Sequence, residues 1–216
     1  MKTTLKAALA GAAMLASVTS AHALSIVDAA GSCDLTDNII GGAFLPSVSH
    51  CGVSSDRTDI DAVNLGAADG EFFSLGLIGG ATLGGLAVFE ISPAFTGPAM
   101  VVEVTNPSNH WEAADIYVGT DFADLVDNFL TLSSVGRVNN GKGGTETATN
   151  TVTITGVYNF ILFEDASIAE YGSTGNGTED GFDLDSFTVT PVPLPAGALL
   201  LGAALVGLGA TRRRAL

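Results

Sequence analysis

The chain has 216 residues, of which 23 are Asp or Glu and eight are Lys or Arg. All 23 acidic residues lie between positions 24 and 191, where only Arg57, Arg137 and Lys142 are basic, so this stretch has a formal charge of −20. Such a surface repels nucleic acid and anionic lipid, and we exclude nucleic acid as a partner. The 168 residues of the stretch suffice for one domain with a substantial core.

The first 23 residues have the three-part pattern of a secretory signal. Lys2 and Lys6 are followed by an apolar run over positions 7–16 and then by the small residues Ala21 and Ala23. The apolar run is shorter than the ~20 residues that a membrane-spanning helix needs. The pattern predicts that residues 1–23 are a signal peptide cleaved after Ala23. An uncleaved anchor is the alternative interpretation.

Two cysteines occur, Cys33 and Cys51, and both lie in the part of the chain that is predicted to be exported. Exported proteins meet an oxidising environment, in which a pair of cysteines forms a disulfide. We therefore predict a Cys33–Cys51 disulfide. The sequence contains no cluster of Cys and His residues that could build a structural zinc site.

Eight short β-rich runs, separated by Gly, Pro and Asn turn signals, predict the architecture of residues 24–191. The runs cover residues 60–65, 71–78, 86–91, 100–105, 115–119, 151–155, 157–164 and 182–190. Strands of this length and number are typical of two packed layers. The predicted fold class is all-β: an antiparallel β-sandwich, jelly-roll-like, with one short helix, a signal helix at the N-terminus and a transmembrane helix at the C-terminus.

A candidate ligand site lies in the turn-like segment 106–111, at Asn109, His110 and Trp111, where Trp111 is the only tryptophan of the chain. An amide, an imidazole and an indole can together hydrogen-bond to a sugar and stack on its ring. The other interpretation places the tryptophan in the core, because Trp is highly buried on average.

The one short helix is predicted after Thr120 and Asp121, either of which can cap its N-terminus. Apolar residues recur there at helical spacing, at positions 122, 125, 126, 129 and 130. The acidic residues Asp121, Asp124 and Asp127 fall on the opposite face. We interpret that face as exposed to solvent and not as a metal site.

A candidate calcium site follows a Gly-rich loop, where oxygen ligands alternate along the chain at the start of the last strand. Its predicted ligands are Glu179, Asp180, Asp183 and Asp185. A weaker copy of the same pattern is present at Asp56, Asp59 and Asp61. An exposed acidic strand face would produce the same alternation, so both interpretations stay open. Calcium is the only cofactor that the sequence indicates.

Catalytic motifs are absent from the sequence, and no catalytic residue is assigned. His22 lies in the signal peptide, and the remaining imidazoles, His50 and His110, are in no metalloprotease or nucleophile-elbow motif. No phosphate-binding loop or dinucleotide fingerprint is present either. We expect a protein that is not an enzyme. A glycan hydrolase stays as an alternative, because its two carboxylates can come from any two strands.

The C-terminus carries a second targeting device over residues 192–216. Val192, Pro193, Leu194, Pro195 and Ala196 open an apolar stretch that is followed by three consecutive arginines. These arginines are Arg212, Arg213 and Arg214. The stretch 194–211 is just long enough to span a bilayer, and the arginines predict a cytoplasmic C-terminus with the body outside.

These residues resemble the VPLPA variant of the PEP-CTERM sorting signals of Gram-negative bacteria. The resemblance is limited to residues 192–216, with Leu194 where the better-known form has Glu. It implies an exosortase-type processing enzyme as partner, a transient tether to the inner membrane, and release or re-attachment at the cell surface near exopolysaccharide. The alternative is a permanent tail anchor that is never cut.

The sequence therefore predicts an exported cell-surface or extracellular-matrix protein whose body is a weak carbohydrate-binding module. Two alternatives from other classes remain, a secreted glycan hydrolase and a purely structural matrix protein. Glycan binding without turnover would favour the first prediction, and neither binding nor turnover would favour the structural one.

Overall fold

The computed structural model describes residues 23–34, 39–45, 52–77, 84–104, 110–141, 147–172, 181–193 and 204. Leu24–Pro191 is one compact unit, and the two termini make up the other, described only at residues 23, 192–193 and 204. No helix among the described residues is long and apolar enough to cross a membrane. The predicted transmembrane helix, nearly all of the signal peptide and most of the sorting tail lie outside these residues, and they stay predictions.

Ten strands and two short α-helices make up the described part of the body. The strands are β1 (Ser25–Gly31), β2 (Ile39–Ile40), β3 (Ala43–Phe44), β4 (Asn64–Leu65), β5 (Phe73–Ser74), β6 (Leu86–Val104), β7 (Ala113–Gly119), β8 (Gly136–Asn139), β9 (Thr147–Asp165) and β10 (Asp183–Pro191). The helices are α1 (Phe122–Asn128) and α2 (Ser167–Tyr171). Single 3₁₀ turns are present at Ser55–Arg57, Ile60–Ala62 and Phe129–Thr131. The predicted all-β class is confirmed.

The longest strand pairing in the fold joins β6 and β9 into a two-stranded ribbon. The two 19-residue strands pair antiparallel from Leu86 opposite Glu164 to Val104 opposite Thr147. Their register shifts between Glu90 and Gly97, and Gly156 has a φ of 117° there, a conformation that suits a residue without a Cβ. Bulges of this kind bend a strand, so each of the two strands contributes to two layers.

The two layers belong to one hydrogen-bonded sheet of eight strands. In one layer, β1 pairs with the first part of β6, and β7 joins the last part of β9 to β8. In the other layer, β10 pairs with the second part of β6 and also with β5 and, in parallel, β4. The predicted jelly-roll-like sandwich has two separate large sheets, whereas eight of the ten described strands form a single sheet and β2 and β3 pair with each other alone.

The main core lies between the two layers. Phe89, Phe163 and Phe187 meet there, with ring centroids 5.1 to 6.0 Å apart, and all three are fully buried. Phe89 and Phe163 come from the ribbon, whereas Phe187 comes from β10 in the opposite layer. The three rings therefore join the layers through apolar burial and tilted aromatic contacts.

A second core covers the outer face of the first layer. Phe122, Leu125 and Val126 of α1 pack there with residues of β6, β7 and β9. The carboxylate of Asp121 accepts a hydrogen bond from the backbone N–H of Asp124 at 3.1 Å, so the predicted helix and its cap are confirmed. Leu130, which was predicted on the apolar face, is instead 63% exposed because α1 ends at Asn128.

Several strand predictions need correction in their bounds. The predicted strands 86–91 and 100–105 are strands as far as they are described, but both are parts of β6, which ends at Val104. The predicted strands 151–155 and 157–164 are both parts of β9, because bends through Gly97 and Gly156 continue the pairing. The run 60–65 is mainly a 3₁₀ turn that ends in the two-residue β4. The carboxylate of Asp59, which precedes this run, accepts a hydrogen bond from the backbone N–H of Asp61. This bond favours a turn over a strand.

Candidate functional site

One end of the sheet carries a cluster of polar and aromatic side chains, organised by Asn140 just after β8. The Oδ1 of Asn140 accepts from the backbone N–H of Glu112 at 2.9 Å. Its Nδ2 donates to the His110 carbonyl at 3.1 Å and to the Glu103 carboxylate at 3.4 Å. Because one side chain makes three hydrogen bonds to two neighbouring segments, it fixes the approach of the chain to β7.

Trp111 and Tyr171 form what we call the aromatic pair. Their ring centroids lie 6.3 Å apart at an interplanar angle of 59°, and both residues are partly exposed. His110, with 14% of its side chain exposed, precedes Trp111 and places Nδ1 3.7 Å from Oε1 of Glu112. The hydroxyl of Tyr171 accepts from the backbone N–H of Gly141 at 3.1 Å, which ties the ring to the segment that contains Asn140. Two partly exposed aromatic rings are thus held together, and a mostly buried imidazole precedes one of them in the chain.

Helix α2 brings Tyr171 to this place. The backbone N–H of Ala166 donates to the Ala113 carbonyl at 2.7 Å, and the Ser167 hydroxyl accepts from the Ala113 N–H at 3.0 Å. These bonds attach the start of α2 to the start of β7, two positions after Trp111. The helix ends at Gly172, whose φ of 76° is the left-handed conformation that favours glycine at a helix end.

Asp165 holds the other side of α2. Its carboxylate accepts from the backbone N–H and the hydroxyl of Ser167, at 3.1 and 2.8 Å, and from the backbone N–H of Phe182 at 2.7 Å. Asp165 is 3% exposed. Burial raises the pKa of Asp165 to about 7, against the opposing effect of these hydrogen bonds.

The surroundings of the aromatic pair are rich in carboxyl groups. Glu112 follows Trp111 in the chain and contacts His110, Glu103 contacts Asn140, and the two glutamates are 1% and 0% exposed. Burial raises the pKa of Tyr171, and the charges of Glu170 and Glu103 raise it further. Arg137 balances only part of this charge, because it pairs with Asp115 through two nitrogens and with Glu170 at 3.0 Å.

The predicted ligand site is described in part. His110 and Trp111 lie side by side as expected, and Asn109 lies outside the described residues. Trp111 is partly exposed and in neither core cluster of the described residues, and its role as a ligand platform stays a prediction. Sequence reasoning missed Glu103, Asn140 and Tyr171, which come from three distant positions in the chain. The sequence around Asn140 indicated only a turn, and no pattern in the sequence indicated a role for Tyr171.

The predicted calcium ligands are also described in part. Glu179 and Asp180 lie outside the described residues. Asp183 accepts a short hydrogen bond from the Ser74 hydroxyl, and Asp185 accepts from the backbone N–H groups of Asp69 and Gly70, at 3.2 and 2.8 Å. Within the described ranges, no three His, Cys, Asp or Glu side chains are grouped so that they could hold a metal ion. Calcium binding stays a prediction.

The second acidic pattern, at Asp56, Asp59 and Asp61, borders a cavity of about 270 Å³. Asp59 and Asp61 line it together with Asp28 and Asp34. Asp28 is already engaged there, since its carboxylate accepts from the backbone N–H groups of Ala29 and Gly41, both at 3.0 Å. Asp56 is not among the lining residues, so the pattern is divided between the cavity wall and the solvent.

Of the two cysteines in the predicted disulfide, only Cys33 lies among the described residues. Cys33 is 4% exposed, and its Sγ lies 3.1 Å from the carbonyl oxygen of Leu75. Cys51 lies outside the described residues, so the pairing of the two stays a prediction.

Among solved structures, the chain is similar to a truncated AlyQ with CBM32 and alginate lyase domains, at 14% sequence identity and a TM-score of 0.42. That similarity covers 79% of this chain and 34% of the other, so the chain spans about a third of its length. The CBM32 of AlyQ in complex with 4,5-unsaturated mannuronic acid is similar at 15% identity and a TM-score of 0.36, over 60% of this chain and 93% of that one. No family model and no curated protein matches the chain.

Proposed function

We propose that the body is an exported, non-catalytic carbohydrate-binding module whose ligand lies against the aromatic pair. The observation that carries the proposal is the pairing of Trp111 and Tyr171, partly exposed and 6.3 Å apart, with His110 beside them. Aromatic rings stack on the apolar face of a sugar, and neighbouring polar groups bond to its hydroxyls. Both rings are held by hydrogen-bonded elements, so little ordering is needed on binding.

Binding is favoured over hydrolysis by the state of the carboxyl groups near the aromatic pair: Glu103 and Glu112 are buried, and Glu170 is paired with Arg137 at 3.0 Å. A glycoside hydrolase needs two carboxyl groups that reach opposite sides of a glycosidic bond. Glu103 and Glu112 are 0% and 1% exposed and cannot reach a polysaccharide at the surface. Their position suits a supporting role for His110 and Asn140, with which they interact.

Replacing Trp111 by alanine should abolish most glycan retention, because stacking on the larger ring is lost. We expect an affinity loss of at least about tenfold, since 1.4 kcal/mol already corresponds to that factor. The measurement is retardation of the exported protein in gels containing soluble polysaccharides, with melting temperature as the check on folding.

Phe44→Ala is the matched control, because it removes an aromatic ring that is 76% exposed on the β2–β3 hairpin. Tyr171→Phe should keep most of the affinity, since the ring stays and only its hydroxyl is lost. Equal retention of wild type and Trp111→Ala would place any binding elsewhere and contradict the proposed site. A wild-type protein retained by none of the polysaccharides would contradict the function itself.

We further propose that an exosortase-type enzyme processes the tail, which tethers the protein to the inner membrane until then. The motif Val192 to Ala196, the apolar stretch and the three arginines support this. Intact-mass measurement of surface protein should find residues after Pro195 missing. Arg212, Arg213 and Arg214 still attached to most surface molecules would instead indicate a permanent anchor.

A further inference from the structure

The last turn of α2, which carries Tyr171, is held to the sheet by different contacts from its first turn. Ser167, at the start of the helix, bonds to Ala113 of β7 and to Asp165. The helix has only five residues, and a helix this short is not stable through its own hydrogen bonds. The place of the Tyr171 ring therefore depends on what the residues beside it contact.

Arg137 of β8 makes one such contact. Its Nη1 donates a hydrogen bond to Oε2 of Glu170, the residue before Tyr171, at 3.0 Å. Its Nε and Nη2 donate to the two carboxylate oxygens of Asp115, the residue opposite Arg137 on β7. A guanidinium that bonds one carboxylate through two nitrogens has a fixed orientation, so its third nitrogen offers Glu170 a fixed partner. Arg137 thus connects β7, β8 and α2.

The short segment that follows Arg137 contacts both rings of the aromatic pair or their neighbours in the chain. Asn140 accepts from the backbone N–H of the residue after Trp111 and donates to the carbonyl of the residue before it. The backbone N–H of Gly141 donates to the hydroxyl of Tyr171. A shift of α2 relative to this segment would therefore move Tyr171 with respect to Trp111.

We infer that Arg137 is a positioning residue of the glycan site, an inference that rests on the proposed function. It keeps Tyr171 beside Trp111 through Glu170 and does not itself contact the ligand. A ring that is held in place before the ligand arrives does not have to be ordered on binding. Without the contact to Glu170, the ordering of this side chain is added to the cost of binding, so the affinity falls.

Replacing Arg137 by methionine keeps much of the side-chain volume and removes its hydrogen bonds. Retention of the purified protein in gels of hydroxyethylcellulose, xyloglucan or galactomannan should weaken by about two- to tenfold, the cost of ordering one side chain. These polymers are neutral, so none of them can form an ion pair with the guanidinium. Glu170→Met should weaken retention to the same extent, because it breaks the same contact and leaves the bonds between Arg137 and Asp115 in place.

Arg57→Met is the matched control. The side chains of Arg57 and Arg137 are 31% and 32% exposed, and Arg57 pairs with Asp183 of β10 at 4.0 Å. This variant should be retained like the wild type. A loss as large as that of Arg137→Met would mean that the removal of either arginine weakens binding, which would overturn the inference.

A double variant separates a positioning role from direct contact with the ligand. In Tyr171→Ala the ring that Arg137 positions is absent, so the addition of Arg137→Met should weaken retention no further. A further loss as large as in the wild-type background would overturn the inference, because Arg137 would then act independently of Tyr171.

Quenching of tryptophan fluorescence by acrylamide tests the position of the rings without any ligand. Trp111 is the only tryptophan of the chain, so the signal comes from this residue alone. Arg137→Met and Tyr171→Ala should both raise the quenching constant, because Trp111 loses the ring that covers part of it, whereas Arg57→Met should not.

An Arg137→Met protein that is quenched like the wild type would overturn the positioning role while leaving glycan binding in place. Wild-type protein retained by none of the three polymers would count against the proposed function and against any role of Arg137 in affinity, even if the quenching showed that Arg137 places the rings.

Discussion

Replacing Phe163 by alanine should lower the free energy of unfolding by about 3–5 kcal/mol, the usual cost of removing a buried Phe side chain. Phe163 is fully buried between the layers and contacts both Phe89 and Phe187. The surrounding strands cannot close the cavity without disturbing the ribbon, so the cost combines lost burial with unfilled space. Denaturant unfolding of the purified protein measures this loss.

Phe44→Ala serves as the comparison, because its side chain is 76% exposed and should change stability by less than about 0.5 kcal/mol. Phe163→Leu should recover part of the loss by refilling the space. A Phe163→Ala protein as stable as wild type would mean that the three rings do not join the layers.

Raising the pH from 5 to 8 should lower the free energy of unfolding by about 2–3 kcal/mol through Asp165. The pKa of this carboxyl is about 7 in the folded protein and about 3.8 in the unfolded chain. Below pH ~4 both states hold the proton and the stabilising contribution is complete. Between about 4 and 7 only the folded state still holds it, so stability falls as pH rises and is lost above the folded pKa.

Asp165→Asn isolates this effect, because the body also loses stability at high pH through repulsion among its other carboxylates. The amide cannot titrate, so the slope of stability against pH between 5 and 8 should become shallower. The variant also loses a hydrogen-bond acceptor for Ser167 or Phe182, which lowers its stability at every pH. The informative quantity is therefore the slope of stability against pH and not the stability itself. Melting temperatures across pH supply the measurement, and identical slopes in the two proteins would exclude Asp165 as the source.

Local patterns in the sequence predicted local structure well. Asp121 with Phe122, Leu125 and Val126 predicted both the position of α1 and its buried face, because a helix is specified by its own cap and period. The run 86–91 also predicted a strand correctly, as both of its faces are buried in the two cores. These predictions needed no information about distant residues.

Features that depend on long-range pairing could not be predicted in this way. Gly84 and Gly85 were among the glycine turn signals that separate the predicted strands, but a Cβ on Gly85 would lie 1.6 Å from the carbonyl oxygen of Leu75, so the close approach of the two segments requires a glycine at this position. Trp111 was identified, but its neighbour Tyr171 was not, because they are 60 positions apart and meet only when α2 docks on β7. The structural preferences of single residues do not predict contacts between positions so far apart in the sequence.

The sharing of β6 and β9 between both layers has a consequence for how the chain reaches its native state. Partners in the ribbon are separated by at least 43 positions, from Val104 to Thr147, and by as many as 78, from Leu86 to Glu164. Neither layer can be completed before Asp165 has left the ribosome. Distant pairings of this kind slow folding, and because both layers share β6 and β9, we expect the layers to form and to unfold as one cooperative unit.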